Sequence, residues 1–226
     1  RGVKILAAGS AVYGLRSAIA ALGKAEAIEI ATDHGHDIHH AVVAGKCDAD
    51  IVIIPADMLE DLDRRDLLTG PRRRIGFTGI GYCVPRGATL PVIADEPTLR
   101  SAVEAAQGVY LTTAPTGQHM QGCLLDLGFG QGLTDKLRLF ERATEMLRAL
   151  GQCPEGSLAF GPTTELMAWR DKGVDYGGGV PFAFDLPLAY DAAVLARGAD
   201  RRGAADLLDD LAGPEGLAHF RASGVS

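Results

Sequence analysis

Four of the chain's six histidines lie within seven residues, in the stretch HGHDIHH at positions 34–40. Imidazole rings donate and accept hydrogen bonds, bind transition metals and become cationic near neutral pH. Such a cluster could therefore hold an anion, transfer a proton or bind a metal ion. The helices and strands that carry the rings decide between these uses.

The histidine stretch leads into a predicted helix that continues through AVVAG. With about 100° between successive residues, Ile38 and Val42 share one face of this helix, and His36 lies on the opposite face with His40. A histidine pair four residues apart can bind a metal, but no carboxylate or thiol at recognisable spacing completes a ligand set. We therefore expect no metal site, and we expect His39 and His40 to lie on a solvated helix face.

Strand-like runs alternate with helical patterns along the chain, which is typical of α/β architecture. The predicted strands include VKILAAGS, AIEIAT, DADIVIIPA, GIGYCVP, GVYLTT, LRLF, SLAFG and YDAAVLA. The segment DMLEDLDRRDLL is predicted to be a helix, GPRRRIG a solvated turn, and GVDYGGGVPFAFDLPL a turn-rich passage. Trp169, on the predicted helix TTELMAWRDKG, is expected at the core or its rim.

The composition limits the classes of function. The chain has 226 residues, of which 47% are hydrophobic and 23% charged, as in globular proteins that bury a sizeable core. Its net charge of -7 argues against nucleic acid or an anionic membrane as the main partner. No run approaches the ~20 apolar residues of a membrane span. The four cysteines form no C-x-x-C pair, so we expect free or partly buried thiols.

Four strand-to-helix junctions share one physical character: AAGSAVYG, TDHGHDIHH, TTAPTGQHM and FGPTTELM. Each places small or polar residues at a helix N-terminus, where unpaired N–H groups and the helix dipole favour an anion. Ser10, Thr116 and Thr163 could cap their own helices or offer hydroxyl groups to a ligand. The junctions form one site only if the fold brings them together, as open α/β sheets do at the carboxyl ends of their strands.

The order and spacing of several segments resemble a known family. The segments are VKILAAGSAVYGL, AGKCDADIVIIPADMLEDLDRRDLL, GYCVPRGA, TTAPTGQHMQGCLLDLGF, GSLAFGPTTEL and LLDDLAGPEGLAHFRASGV. In this order they are similar to the type II periplasmic solute-binding proteins, in particular the molybdate-binding-protein-like group of ABC-transporter receptors. The resemblance covers almost the whole chain, although no single motif in it is highly specific.

The resemblance implies a two-lobed fold of the periplasmic-binding-protein type, in which each lobe is a mainly parallel sheet flanked by helices and a ligand binds in the cleft between them. Residues 1–83 and 186–226 would form one lobe, and residues 84–185 the other. The chain would cross between lobes near residues 83–87 and 183–187, which would also hinge their closure.

The resemblance also implies which residues bind the ligand. The four ligand loops of the family fall on Gly9, Ser10 and Ala11; on His34, Gly35 and His36; on Pro115, Thr116, Gly117 and Gln118; and on Gly161, Pro162 and Thr163. The second loop departs from the family pattern, which has a hydroxyl residue there and a glycine two positions later. Imidazoles at His34 and His36 narrow the cleft and suit a carboxylate or a planar organic acid at least as well as a tetrahedral oxyanion. A solvated loop lined by both rings remains the alternative.

We therefore expect a solute-binding protein that captures a small anion, an organic carboxylate or an oxyanion, for an ABC-transporter permease. One alternative is an enzyme on the same fold, an isomerase, lyase or decarboxylase, with His34 or His36 as general acid or base. Another is a cytoplasmic ligand sensor. We expect no cofactor, no nucleic-acid partner, no membrane insertion and a monomer. The chain begins at RGVKIL, so an export leader is either absent or removed, and the location is extracytoplasmic only in the second case.

Overall fold

A computed structural model describes residues 2–153, 156–198 and 201–226. The chain divides into two compact units. Unit 1 comprises the residues up to Thr78 together with Leu188–Ser226, and unit 2 comprises Gly79–Pro187. Among the described residues, no helix combines the length and the apolar character that crossing a membrane requires.

The described residues form ten strands and ten α-helices. The strands are β1 (Val3–Ala8), β2 (Ile28–Asp33), β3 (Ile51–Pro55), β4 (Leu68–Thr78), β5 (Ile80–Pro85), β6 (Gly108–Thr112), β7 (Leu137–Phe140), β8 (Ser157–Pro162), β9 (Val174–Gly179) and β10 (Leu188–Leu195). The helices are α1 (Gly9–Ala21), α2 (Gly35–Val43), α3 (Ala56–Arg64), α4 (Glu96–Ala105), α5 (Pro115–Asp126), α6 (Gly130–Lys136), α7 (Ala143–Gly151), α8 (Thr163–Trp169), α9 (Arg201–Ala212) and α10 (Pro214–Ala222). Two short 3-10 turns lie at Ala25–Ala27 and Phe182–Phe184.

Unit 1 is a five-stranded mixed sheet with the strand order β2-β1-β3-β10-β4. Strand β1 is parallel to both β2 and β3, whereas β10 is antiparallel to β3 and to β4. Four of the five strands therefore run in one direction. The sequence IVII of β3 is fully buried, because helices cover both faces of the sheet at this central strand.

Unit 2 repeats this topology with the strand order β7-β6-β8-β5-β9. Strand β6 is parallel to β7 and β8, and β5 is antiparallel to β8 and β9. In each sheet the one reversed strand, β10 or β5, is the first strand after the chain crosses from the other unit. The α/β fold with two units of sheet and helix agrees with the predicted fold class.

The boundary between the units lies at 78/79 and at 187/188. The sequence resemblance implied crossings near 83–87 and 183–187. The first boundary precedes the implied one because all of β5 pairs with β8 and β9 and so belongs to the second sheet.

Strand β4 corrects the prediction of a solvated turn at GPRRRIG. The three arginines lie in β4, and each forms an ion pair within unit 1. Arg73 Nη2 lies 2.7 Å from Asp209 Oδ1 of α9, and Arg74 Nε donates to Asp191 of β10. The cations therefore tie β4 to the elements beside it. The predicted turn was wrong, because a charge run reveals nothing about partners that lie more than a hundred residues away, whereas the arginine side chains do stay at the surface.

The turn-rich passage at 173–187 also contains a strand that was not predicted, β9. Tyr82 of β5 explains one of its glycines, because a β-carbon at Gly177 would lie 2.1 Å from the tyrosine ring. The predicted helix DMLEDLDRRDLL ends at Arg64 rather than at Leu68, since Leu68 begins β4. Elsewhere the predicted strands match the observed ones within a few residues.

Two smaller predictions are confirmed. All four cysteines are free, and Cys83 is buried. Burial raises the pKa of the Cys83 thiol to about 12, so it is unreactive at neutral pH. Trp169 is partly buried and packs against the core on one face of the sheet of unit 2.

Candidate functional site

The predicted ligand loops of unit 1 lie at one edge of its sheet. Ala8 at the end of β1 pairs with Asp33 at the end of the parallel strand β2. Helix α1 begins at the next residue, Gly9, and helix α2 begins two residues after Asp33. The carboxyl ends of neighbouring parallel strands meet at the same edge, so Ser10 and His34 belong to one region of unit 1.

The first turn of α1 has unpaired hydrogen-bond donors. Its N-cap is Ala8, which has no side-chain acceptor, and no acidic residue lies in the first turn. Ser10 is half-buried, and within the part of the chain that the structure describes its hydroxyl makes no hydrogen bond. Ala11 is buried behind it. The first-turn N–H groups and this hydroxyl are therefore available to an acceptor.

The first turn of α2 carries the two histidines predicted to bind the ligand. His34 is the N-cap, and its backbone N–H donates to Asp33 Oδ1 at 2.8 Å. His34 and His36 are both exposed, and neither ring makes a hydrogen bond within the described residues. Gly35 packs closely on β3, because a β-carbon there would lie 2.9 Å from Cδ of Pro55.

His39 differs from the prediction of a solvated helix face. Its Nε2 lies 2.8 Å from Asp61 Oδ2 of α3, and its side chain is only 16% exposed. The hydrogen bond from Arg65, and to a lesser extent the one from His39, holds the pKa of Asp61 below its usual range. The prediction for His39 was wrong because the α2–α3 contact places a carboxylate opposite it. His40 is exposed as predicted, while Ile38 and Val42 are buried.

The third predicted loop begins α5, which follows β6 as α1 follows β1. Its N-cap is Ala114, its first residue is Pro115, and no acidic residue lies in its first turn. Thr116 and Gly117 are buried, whereas Gln118 is exposed and its Nε2 donates to the Thr113 carbonyl at 2.8 Å. The helix therefore starts tight against the end of β6, with Gly117 at the point of contact.

The fourth predicted loop offers fewer donors than the sequence suggested. Gly161 is a buried residue of β8 and pairs with Gly81 of β5, and Pro162 has no N–H group. The backbone N–H of Thr163 donates to the Gly79 carbonyl at 3.0 Å. At this loop the N–H groups for a ligand would have to come from the residues that follow Thr163.

Two features of unit 2 were missed in the sequence. Burial raises the pKa of Glu165, in the first turn of α8, to about 7. The hydroxyl groups of Thr112 and Thr164 are buried and have no hydrogen-bond partner in the part of the chain that the structure describes. Thr112 is the last residue of β6 and Thr164 the second residue of α8, so these polar groups lie near the carboxyl ends of the parallel strands β6 and β8. The position of TTE directly after the strand SLAFGP was the available signal.

The start of α3 was also missed as a junction. It follows β3 with Pro55 as its N-cap, just as α8 follows β8 with Pro162 as its N-cap. The two junctions occupy equivalent places in the two strand orders. Among the described residues, no group of three or more histidine, cysteine or acidic side chains is arranged to hold a metal ion.

Comparison with known proteins identifies the family of this chain. Residues 3–226 match the model of a family described as bacterial extracellular solute-binding protein. No curated protein matches the chain.

Several solved structures share the fold at low sequence identity. The periplasmic molybdate-binding protein of Azotobacter vinelandii has a TM-score of 0.76 and 16% identity, covering 99% of this chain and 98% of its own. The L-phospholactate-bound protein PEB3 has a TM-score of 0.70 and 11% identity, covering 98% of each chain. The sulfate-binding protein of Mycobacterium tuberculosis has a TM-score of 0.69 and 13% identity, covering 99% of this chain and 86% of its own.

Proposed function

Because this chain belongs to the bacterial extracellular solute-binding proteins, we propose that its solute is a small anion with oxygen acceptors, an oxyanion or an organic carboxylate. The solved structures that share the fold include a molybdate-binding protein, a sulfate-binding protein and a protein bound to L-phospholactate. All three ligands are small anions that accept several hydrogen bonds.

The start of α1 is the observation that carries this proposal. Helix α4 is capped by its own residues, because Asp95 accepts from the Thr98 N–H and Thr98 in turn accepts from the Asp95 N–H. Helix α1 begins at an alanine cap with no acid in its first turn, and Ser10 adds a free hydroxyl. Helix α5 repeats the alanine cap in unit 2. Unpaired N–H groups with a helix dipole behind them favour an anion.

His34 and His36 support a carboxylate-bearing ligand within this class. Both rings are exposed at the start of α2, beside the start of α1 at the same sheet edge. An imidazole donates to a carboxylate in either of its ionisation states. A ligand site shared by the loops of both units stays a prediction from the sequence, as does delivery of the solute to an ABC-transporter permease outside the cytoplasm.

A ligand screen tests the proposal. Thermal unfolding of the purified chain would be followed with molybdate, tungstate, sulfate, phosphate, phospholactate and a set of small and aromatic carboxylates, each confirmed by calorimetric titration. Stabilisation by one class identifies the ligand, since a ligand at a hundred times its Kd stabilises by about 2.7 kcal/mol. Stabilisation only by cations would contradict the proposal. Chemical conversion of the bound acid during incubation would favour an enzyme.

Substituting alanine for Ser10 should weaken binding of the identified anion about tenfold, since a hydrogen bond to a charged partner contributes about 1.5–3 kcal/mol and water replaces part of it. Alanine is the best helix former, so α1 should remain folded. The control is Ser17→Ala on the same helix, which loses only the contact between Ser17 Oγ and His219 Nδ1, at 2.8 Å. If both variants bind the anion with the affinity of the parent, Ser10 does not contact the ligand.

Replacing His34 and His36 together by alanine should lower the affinity for a carboxylate about tenfold and leave the unfolding temperature nearly unchanged, because both side chains are exposed. His40→Ala is the matched control, because His40 is an exposed histidine of the same helix that also lacks a hydrogen-bond partner among the described residues. An unchanged affinity in the double variant would mean that the two rings only line a solvated loop.

A further inference from the structure

Two histidines on α2 lie side by side on its solvent face. His36 and His40 are four residues apart, both are exposed, and their ring centroids are 5.3 Å apart with an angle of 47° between the ring planes. The opposite face of the helix buries Ile38 and Val42. The packing of α2 on the sheet therefore fixes the direction in which this pair points.

The spacing of the rings matches a chelate. Imidazole nitrogens bind transition metals at about 2.0–2.1 Å, and the ring centre lies roughly 1 Å beyond the nitrogen. Two imidazoles at a tetrahedral angle on one metal ion then have ring centres about 5 Å apart. The observed 5.3 Å between the ring centroids agrees with this value, so the spacing of His36 and His40 suits one shared ion.

The neighbouring histidine is engaged elsewhere. The His39 ring lies 5.9 Å from that of His40, but its Nε2 is paired with Asp61 Oδ2 at 2.8 Å. Neither the His36 nor the His40 ring has a hydrogen-bond partner among the described residues. These two rings can therefore bind an ion without breaking an existing interaction.

We propose that His36 and His40 chelate one divalent ion of the group Cu²⁺, Ni²⁺ and Zn²⁺. Imidazole ligands suit these metals, whereas Mg²⁺ and Ca²⁺ prefer oxygen. With two protein ligands, the remaining coordination positions are left to water or to an anion from solution. This revises the expectation from the sequence that no metal binds at the cluster, since two ligands at the right spacing suffice for a chelate. His36 is shared with the predicted solute-binding residues, whereas His40 belongs to the metal pair alone and therefore distinguishes the two proposals.

The test uses untagged, metal-free protein. Titration with Cu²⁺ should give one tight equivalent whose electron paramagnetic resonance spectrum shows coupling to two imidazole nitrogens, and Ni²⁺ should bind in calorimetry. His40→Gln should lower the affinity for both ions by about tenfold or more, because one of the two protein ligands is lost. His40 lies outside the predicted solute-binding residues, so this variant should keep its affinity for the anion.

The control is His39→Gln, which removes a histidine next to the site but leaves the pair intact. It should bind both ions as the parent does. Coupling to a single nitrogen, equal metal affinity in His40→Gln and the parent, or an equal loss in His39→Gln would each overturn the proposal.

Discussion

Substituting alanine for Gly117 should destabilise unit 2 by about 3 kcal/mol or more, because overpacking against backbone is costly. Gly117 is buried in the first turn of α5, and a β-carbon there would lie 1.9 Å from the carbonyl oxygen of Thr112 and 2.8 Å from its nitrogen. These atoms belong to the backbone of β6, so no side chain can rotate to make room. The helix would have to move away from the strand end.

Trp169 makes this measurement specific. It is the only tryptophan of the chain and lies in unit 2, so its fluorescence during urea unfolding reports the unit that contains the substitution. Gly122→Ala on the same helix is the control, since no atom of the described residues lies within 4 Å of a β-carbon there. That variant should be as stable as the parent or about 1 kcal/mol more stable. Similar midpoints for the two variants would refute the close contact at Gly117.

Replacing Glu165 by glutamine should raise the free energy of unfolding by about 2 kcal/mol at pH 8 and change it little at pH 4. Burial disfavours the carboxylate of Glu165 and raises its pKa from the ordinary 4.5 to about 7. A pKa shift of this size corresponds to about 3 kcal/mol in the free energy of unfolding. We expect a smaller effect because solvent still reaches part of the side chain.

The direction of this pH dependence follows from proton binding. The folded protein keeps the Glu165 proton up to about pH 7, whereas the unfolded chain releases it near the ordinary value of 4.5. Between these values the folded state binds more protons, so the stability of the parent falls as pH rises through this window and is constant above it. The glutamine variant has no proton to release there and should lack this fall.

Glu145→Gln is the matched control for Glu165. Glu145 occupies the same position in the first turn of α7 but is exposed. Its substitution should change the free energy of unfolding by only a few tenths of a kcal/mol. The fluorescence of Trp169 again serves as the probe, at a series of pH values from 4 to 8. Parallel pH profiles for the parent and Glu165→Gln would show that the carboxyl group is well solvated in the folded protein.

The alternation of strands and helices was readable in the sequence because apolar spacing reflects which face of an element is buried. Ile38 and Val42 are buried and His36 and His40 exposed, as the helical period predicted. The resemblance to solute-binding proteins held for the same reason, since it rested on the order of these elements along nearly the whole chain. The family match over residues 3–226 agrees with it.

Contacts between distant parts of the chain could not be read in this way. Nothing in GPRRRIG indicates that its arginines meet Asp191 and Asp209, and nothing in HGHDIHH separates His39, which pairs with Asp61, from His40, which does not. The N–H of Thr163 is used by Gly79, which the fourth loop by itself does not reveal. Each of these contacts depends on which residue the fold places opposite the side chain or the N–H group.

The sequence by itself determined the class of fold, the position of the helix starts at the ends of the strands, and the family. Local periodicity and chain order carry this information. Only the tertiary structure decided which of those helix starts keeps free donors, which histidines remain unpaired, and which carboxyl group loses its solvent. Hydrogen bonding and desolvation depend on neighbours in space. The spatial neighbours of Ser10, His40 and Glu165 cannot be read from residue spacing along the sequence.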